Sequence, residues 1–401
     1  MTAALVPFSH RKLVGLDGVR GLAIVAVMLA HVYSQPFPLP AAVRSALHFG
    51  WCGVDLFFAL SGFLITGILL DSRQCTNYFR SFYARRFLRI FPLYYGFLFV
   101  ALLAFPYIVP ADLMPARSDR WLYVCYLANW QQLLHWSNHI LGHFWSLCVE
   151  EQFYFLWPLV VLLVSPRRLL PFVVGLELAL IVGRLGWLWT HGSAIATSPV
   201  AGVIRIDGLL LGAACALVVR QFRVPQTGIA ALPWIAALFL SAVVAGIGLL
   251  GYEQREMFTE SVGLAMLAIS FAAIVLYVVL TDADSSWQQA AMRWKPLVLL
   301  GKYSYGIYVF HVPVFYFLDR LSLHLPNALN RSIWFSYALI ALKFATAFGI
   351  ASFSYNFFEK RFLALKDRFE PVYRVARSSK LSGEDANPSL AQPLTGMPNV
   401  E

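Results

Sequence analysis

The sequence predicts an all-α integral membrane protein, about ten transmembrane helices forming one bundle around a two-sided central cavity. Three observations carry this prediction. Of its 401 residues, 59% are hydrophobic and only 13% charged, whereas a soluble domain carries about 25% charged residues. Apolar runs long enough to cross the hydrocarbon core of a bilayer recur along the chain. Arginines collect in alternate loops, the pattern of a cytoplasmic face.

The expected spans run at roughly 13–33, 50–70, 91–110, 145–164, 169–190, 200–219, 229–251, 259–281, 297–318 and 333–358. Residues 121–134 are apolar and aromatic but short, which suits an interfacial or re-entrant segment. With that segment left out of the count, Arg73, Arg80, Arg85, Arg86 and Arg89, then Arg167 and Arg168, then Arg220 and Arg223, then the region after 359 all fall on one side. Positive residues mark the inside, so both termini are expected to be cytoplasmic. The +10 net charge is thereby a topology signal and gives no indication of nucleic acid.

The expected organisation is a cytoplasmic N-terminus at 1–12, a membrane domain at 13–360 and a cytoplasmic tail at 361–401, disordered from about 376, where Ser, Pro, Asn and Gly dominate. The first apolar run has no small-residue cleavage site and contains Arg20 and His31, so it is expected to remain as a span. Cys52, Cys75, Cys125, Cys148 and Cys215 lack metal spacing and read as free thiols. His135, His139 and His143 have helical spacing but fall in an expected loop without a carboxylate, and no metal site is expected.

Ionisable groups inside spans mark function by default. Arg20 and His31 are eleven residues apart, which on a helix is a return to within roughly 20° and a separation of roughly 16 Å. One face thus carries a cation near one side of the bilayer and a titratable base near the other. The second span carries Asp55, the fourth opens with Trp145, Ser146, Glu150, Glu151 and Gln152, the sixth holds Arg205 and Asp207, and the ninth holds Lys302, Tyr305 and His311. These spans are expected to line the cavity, with the third and eighth at the perimeter for want of charge in their interiors. His31, Asp55, Glu150 and His311 are expected toward the outer leaflet, and Arg20 and Lys302 in the inner half.

Each of these residues also has a plainer reading. His31 alone would suit a hydrogen-bonded helix end, and Arg85 to Arg89 alone would suit a positive-inside anchor. Arg205 and Asp207, two apart, point in different directions and are not expected to pair with each other. Glu177 and Arg184, seven apart on one face, read as structural. A transporter or flippase for a glycolipid or anionic metabolite would also have many spans and buried charge, but neither inverted repeats nor paired broken helices are visible.

Taken together, Arg20 with His31, the run Gly53-Val54-Asp55-Leu56-Phe57-Phe58, the run from Arg85 to Pro92, Trp145-Ser146-Leu147 with Glu150, Gln152, Phe153 and Tyr154, Arg205-Ile206-Asp207-Gly208, and the run from Ser304 to His311 resemble acyltransferase family 3, bacterial integral-membrane O-acyltransferases. The resemblance covers roughly 13–360. It implies an enzyme of the bacterial inner membrane, with no permanently bound cofactor, that moves an acyl group, acetyl by default, from cytoplasmic acyl-coenzyme A to a carbohydrate or glycolipid hydroxyl. A secreted macrolide-type molecule is the alternative acceptor. Under that reading Arg85, Arg86 and Arg89 meet the donor's phosphates, Arg20 lies along its pantetheine arm, His31 is the general base, and Glu150 or Asp55 orients it. Trp145, Ser146, Gln152, Arg205, Asp207, Tyr305 and His311 are substrate-facing or structural polar groups. Direct transfer and an acyl-histidine intermediate both remain open, and membrane lipid and a second copy of the chain are the remaining expected partners.

Overall fold

In lipid every backbone polar group must find its partner within the protein, so long apolar runs can only become helices. The computed structural model describes residues 13–32, 41–130, 140–191, 205–250, 258–326 and 332–373. Its long helices are α1 (Val14–His31), α2 (Gly53–Ser72), α3 (Tyr78–Ala104), α4 (Trp145–Leu163), α5 (Pro166–His191), α6 (Asp207–Gln221), α7 (Gln226–Leu249), α8 (Leu264–Leu280), α9 (Lys295–Ser322) and α10 (Ile333–Ser354). Each overlaps one expected span, and no strand occurs among the described residues. Eight candidate spans among the described residues are long and apolar enough to cross a membrane. The two long helices outside that set are α6, 15 residues, and α9, which has 28 residues but carries Lys302, Asp319 and Arg320.

Helix ends follow local chemistry. After α4 the chain is extended at Val164, and Pro166, which lacks an amide hydrogen, opens α5. Phe222 is likewise extended after α6, and Pro225 precedes α7. Between α3 and α4 the described part of 121–134 contains the end of the five-residue helix Arg120–Val124, then a turn at Tyr126, whose φ of 54° lies in the left-handed region, and the chain is helical again at 128–130. Residues 131–139 lie outside the described residues. The tyrosines of α3 stitch this layer together: Tyr83 donates to the Phe155 carbonyl at 2.7 Å and Tyr94 to the Tyr123 carbonyl at 2.7 Å.

The most extensive contacts join α2 to α6 and α1 to α9. Both pairs approach backbone to backbone, as small residues allow in membranes. A Cβ on Gly301 of α9 would fall on the Asp17 carbonyl of α1, and one on Gly212 of α6 would fall on the Ala59 carbonyl of α2.

Charged groups then fix the helices laterally. Asp55 of α2 receives both Arg205 Nε at 3.2 Å and Arg205 Nη2 at 2.8 Å, and the guanidinium lies 4.9 Å from the Trp51 ring centre and 5.1 Å from that of Trp145. Arg184 of α5 grips Asp207 of α6 at 2.8 and 2.5 Å. Lys343 of α10 meets Asp319 of α9 at 2.6 Å and donates to the Val32 carbonyl at 3.1 Å.

The fold bears on three expectations. α8 is no perimeter helix: its candidate span is 72% buried against 33% for that of α3, because an apolar helix packs against α2, α6 and α7 as readily as against lipid. The first part of the expected tail, from 361, folds back over the bundle as far as Tyr373; the expected disorder after 376 and the N-terminal 1–12 lie outside the described residues. The basic loops do gather at one end. Arg220 pairs with Asp71, Gln221 reaches the Pro166 carbonyl, Arg73 donates to the Leu162 carbonyl, and Thr76 N–H donates to the Val372 carbonyl.

Gly301→Leu is expected to cost about 1–3 kcal/mol or more through overpacking, lowering the detergent melting temperature, whereas Gly349→Leu, whose Cβ meets open space, leaves it within a degree or two. Asp55→Asn strands Arg205 and is expected to cost about 3–5 kcal/mol. Turnover per folded molecule should change only a few-fold, and a large fall in turnover at unchanged melting temperature would return Asp55 to the chemistry.

Candidate active site

A polar cavity of about 100 Å³ lies where α1, α2, α3, α4 and α9 converge. Arg20 enters it from α1, Ser61 from α2, Arg86 and Arg89 from α3, Ser146, Glu150, Glu151 and Tyr154 from α4, and Tyr305 and Tyr308 from α9. Ser61 Oγ donates to Glu150 Oε1 at 2.7 Å, so Glu150 belongs with the arginines and not with His31. Arg20 is paired with Asp17 one turn earlier at 2.8 Å. The Arg86 guanidinium lies 5.7 Å from the Tyr154 ring centre, and Arg86 and Arg89 have no ion pair among the described residues. Tyr305 gives its hydroxyl to the Ile90 carbonyl at 2.8 Å, tying α9 to α3 and leaving its ring at the cavity.

Two further cavities, about 550 and 200 Å³, open beside Arg89 toward the basic end of the bundle. The larger also borders Arg20, Lys302 and Lys366; the smaller is lined by Arg85, Arg86, Arg89 and Lys366. Lys302 lies 5.2 Å from the Tyr355 ring centre. The expected grouping of Arg20 with the arginines of α3 is therefore present, and Lys366 joins it from the folded-back segment that the sequence reading had placed in a tail.

The histidines stand on the other side of the Tyr308 ring. His31 and His311 meet edge to face with ring centres 4.9 Å apart, and His143 lies 5.1 Å from His311. His311 and His143 are buried, and His31 is half-buried. A backbone carbonyl can only accept, so each ring nitrogen facing one carries the hydrogen. His31 Nδ1 donates to the Val27 carbonyl at 2.8 Å and His311 Nδ1 to the Tyr308 carbonyl at 2.7 Å, which makes Nε2 the basic nitrogen of both neutral rings. The His143 Nδ1 and His311 Nε2 atoms are buried without a hydrogen-bond partner among the described residues.

This differs from the expected orientation of His31 by a carboxylate. Asp55 is occupied by Arg205 and Glu150 by Ser61; the Val27 carbonyl, one helical turn back, sets the tautomer instead. Nor does His31 line the polar cavity with Arg20. Between them stands Tyr308, whose hydroxyl donates to the His143 carbonyl at 2.8 Å and accepts from Ser146 Oγ at 2.5 Å. The cavity thus has Tyr308 in its wall and does not include the histidines.

Other sequence-selected residues serve as supports. Trp145 and Arg205 form the clamp on Asp55, and Asp207 holds Arg184, so Arg205 and Asp207 indeed bind different neighbours. Gln152 donates to the Tyr126 carbonyl at 2.7 Å and to Asn129 Oδ1 at 2.8 Å, anchoring the turn after Val124. Sequence reasoning gave no role to Ser61, Lys366 or Tyr308 by itself, nor to His143, which sat in an expected loop. A signal for His143 was present: it immediately precedes the Phe144-Trp145-Ser146 entry into α4. The five cysteines are free thiols, and no cluster of three or more metal-ligating side chains occurs among the described residues.

No solved structure matches this chain. It is 28% identical over 376 residues to YrhL of Bacillus subtilis, covering 88% of this chain and 55% of that protein. It is also 28% identical over 376 residues to the peptidoglycan O-acetyltransferase OatA of Listeria monocytogenes, covering 88% of this chain and 56% of the relative, and 26% identical over 332 residues to the O-acetyltransferase OatA of Staphylococcus aureus, covering 78% and 52%. The chain therefore spans about half the length of the curated relatives it matches. Residues 13–351 match the family Acyl_transf_3, described as an acyltransferase domain, and span α1 through most of α10; the chain belongs to acyltransferase family 3.

Proposed function

We propose that this protein is a multi-pass bacterial inner-membrane O-acyltransferase that transfers an acyl group, acetyl by analogy with its relatives, from acyl-coenzyme A at the basic end of the bundle to a carbohydrate hydroxyl at the histidine end. One observation supports this above the others: a single helix pair, α1 against α9, sets Arg20 beside the unpaired Arg86 and Arg89 at one depth and His31 against His311 at another.

An anionic donor has a cavity bordered by guanidinium groups, which suit phosphate. The basic end corresponds to the cytoplasm, where arginines accumulate. The pantetheine arm would run past Arg20 and Glu150, and displacement of the Tyr308 to Ser146 contact would bring the thioester to the histidines. There the acceptor oxygen attacks the thioester carbon while His31 Nε2 takes its proton. The new C–O bond forms, the C–S bond breaks, and the imidazolium returns the proton to the leaving thiolate. The Val27 carbonyl does for His31 what a carboxylate does in a serine-type triad, holding one tautomer. Relatives named for O-acetylation, one of them of peptidoglycan, make a cell-envelope glycan the acceptor of choice.

His31→Ala is expected to lower acetyl-coenzyme A turnover about 10²- to 10⁴-fold in lipid with peptidoglycan fragments as acceptor, with coenzyme A binding retained. Equal turnover in the variant would place the base elsewhere, and absence of coenzyme A binding in both proteins would favour a transporter. Arg89→Ala, at the meeting of the three cavities, should raise KM for acetyl-coenzyme A about tenfold or more, the usual loss for one charge-assisted phosphate contact; unchanged KM would remove Arg89 from the donor site.

A further inference from the structure

The folded-back segment has a use beyond covering the bundle. The short helix Ala364–Phe369 and the residues to Tyr373 lie against the start of α3, held by a run of directed hydrogen bonds. Ser81 Oγ donates to the Phe369 carbonyl and Asn77 Nδ2 to the Glu370 carbonyl, both at 2.8 Å. Val372 N–H donates to Asn77 Oδ1 at 2.8 Å, and Thr76 N–H to the Val372 carbonyl at 2.9 Å. Cys75 and Tyr373 complete the register as an isolated antiparallel bridge.

Beneath this strap is the 200 Å³ cavity lined by Arg85, Arg86, Arg89 and, from the strap, Lys366. The charge there is one-sided. Asp71 also borders the cavity but is engaged by Arg220 at 3.1 Å. Glu359, near Arg89 across the neighbouring cavity, accepts from Ser354 Oγ at 3.1 Å. No ion pair to Arg85, Arg86, Arg89 or Lys366 occurs among the described residues. Four cations bordering one space repel one another and are stabilised together by an anion carrying several charges.

We propose that the strap completes the binding site for the donor's phosphates and that Lys366 is its fourth cation, contacting the diphosphate or the ribose phosphate of a nucleotide-bearing thioester. This rests on the acyl-coenzyme A reading above. The strap forms one wall of the site and α3 the other, and the hydrogen bonds of Asn77 and Ser81 hold Lys366 in place.

The test uses the full chain in phosphatidylcholine nanodiscs and coenzyme A itself as ligand. Lys366→Ala is expected to weaken coenzyme A binding about tenfold, in line with loss of one charge-assisted contact, and Lys366→Arg to stay within about threefold. Asn77→Ala, which frees the strap without removing a cation, should weaken it in the same direction. Lys366→Ala should also narrow the preference for acetyl-coenzyme A over acetyl-pantetheine, which has no phosphate, about tenfold. Wild-type affinity in Lys366→Ala, with the melting temperature unchanged, overturns the proposal. So does a result in which Lys366→Ala leaves coenzyme A binding intact but reduces retention of phosphatidylglycerol, which assigns the cations to a lipid phosphate. Failure of the wild type to bind coenzyme A removes the donor reading itself, a different outcome from failure of Lys366 alone.

Discussion

The site depends on how closely α1 can approach α9. Side chains at Gly21 or Gly301 would collide with the facing backbone, and one at Gly18 with the Met292 carbonyl just before α9; without that approach Arg20 would not reach the cavity and His31 would not meet His311. In lipid such contact is driven by packing, because the surroundings are as apolar as the helices themselves. The absence of side chains at Gly21 and Gly301 on this seam thus fixes the placement of two chemically active groups eleven residues apart on α1. Lys343 secures the far end of the same seam by linking Asp319 of α9 to the Val32 carbonyl just past α1.

Around this seam the buried charges fall into two classes. Asp55 with Arg205, Asp207 with Arg184, Asp319 with Lys343 and Asp71 with Arg220 are matched pairs between helices. Removing one partner of such a pair strands the other in a medium that solvates it poorly, which makes them fasteners. Arg85, Arg86 and Arg89 are different. They border cavities, have no matching carboxylate among the described residues, and are affordable only where water or an anion reaches them. The charged pairs that join different elements thus read as architecture, and the unpaired arginines at the cavities as candidates for function.

That distinction also explains what the sequence could and could not reveal. Hydropathy located each long helix, because span length and apolarity are properties of a segment alone, but it missed the arginine-bearing first turns of α3, which begins at Tyr78 and not near 91. The gathering of basic loops at one end followed for the same reason. Pairing is a property of two segments, and there the reading of Asp55 and Glu150 as supports for His31 gave way. Both lie on helices near the histidines in expected depth, but Asp55 faces α6 and Glu150 faces Ser61. The eighth span was misplaced at the perimeter because absence of charge does not distinguish a lipid-facing helix from one packed on all sides. His143 and Lys366 escaped notice because each sits where the sequence suggests a loop or a tail, and only the folded chain brings them to a helix seam.

Tyr308 is where the two halves of the site meet. Its ring borders the cavity that contains Arg86, Arg89 and Glu150, and the same ring lies 5.6 Å from His143 and 5.4 Å from His311 between centres. Its hydroxyl is held by Ser146 and by the His143 carbonyl, so the ring is locked by groups from α4 and from the turn before it. A continuous aqueous path between the two sides of a membrane would leak solutes and hydrolyse a thioester held in it. Under the proposed function, a phenol seated between a cation-lined cavity and a histidine cluster, fixed by two hydrogen bonds that a long flexible ligand could replace, would let an acyl arm pass while water and ions are kept apart. The sequence led one to expect a single two-sided space; the cavity lined by Arg20, Arg86 and Arg89 instead has Tyr308 in its wall, which suits the proposed group transfer better than open conduction.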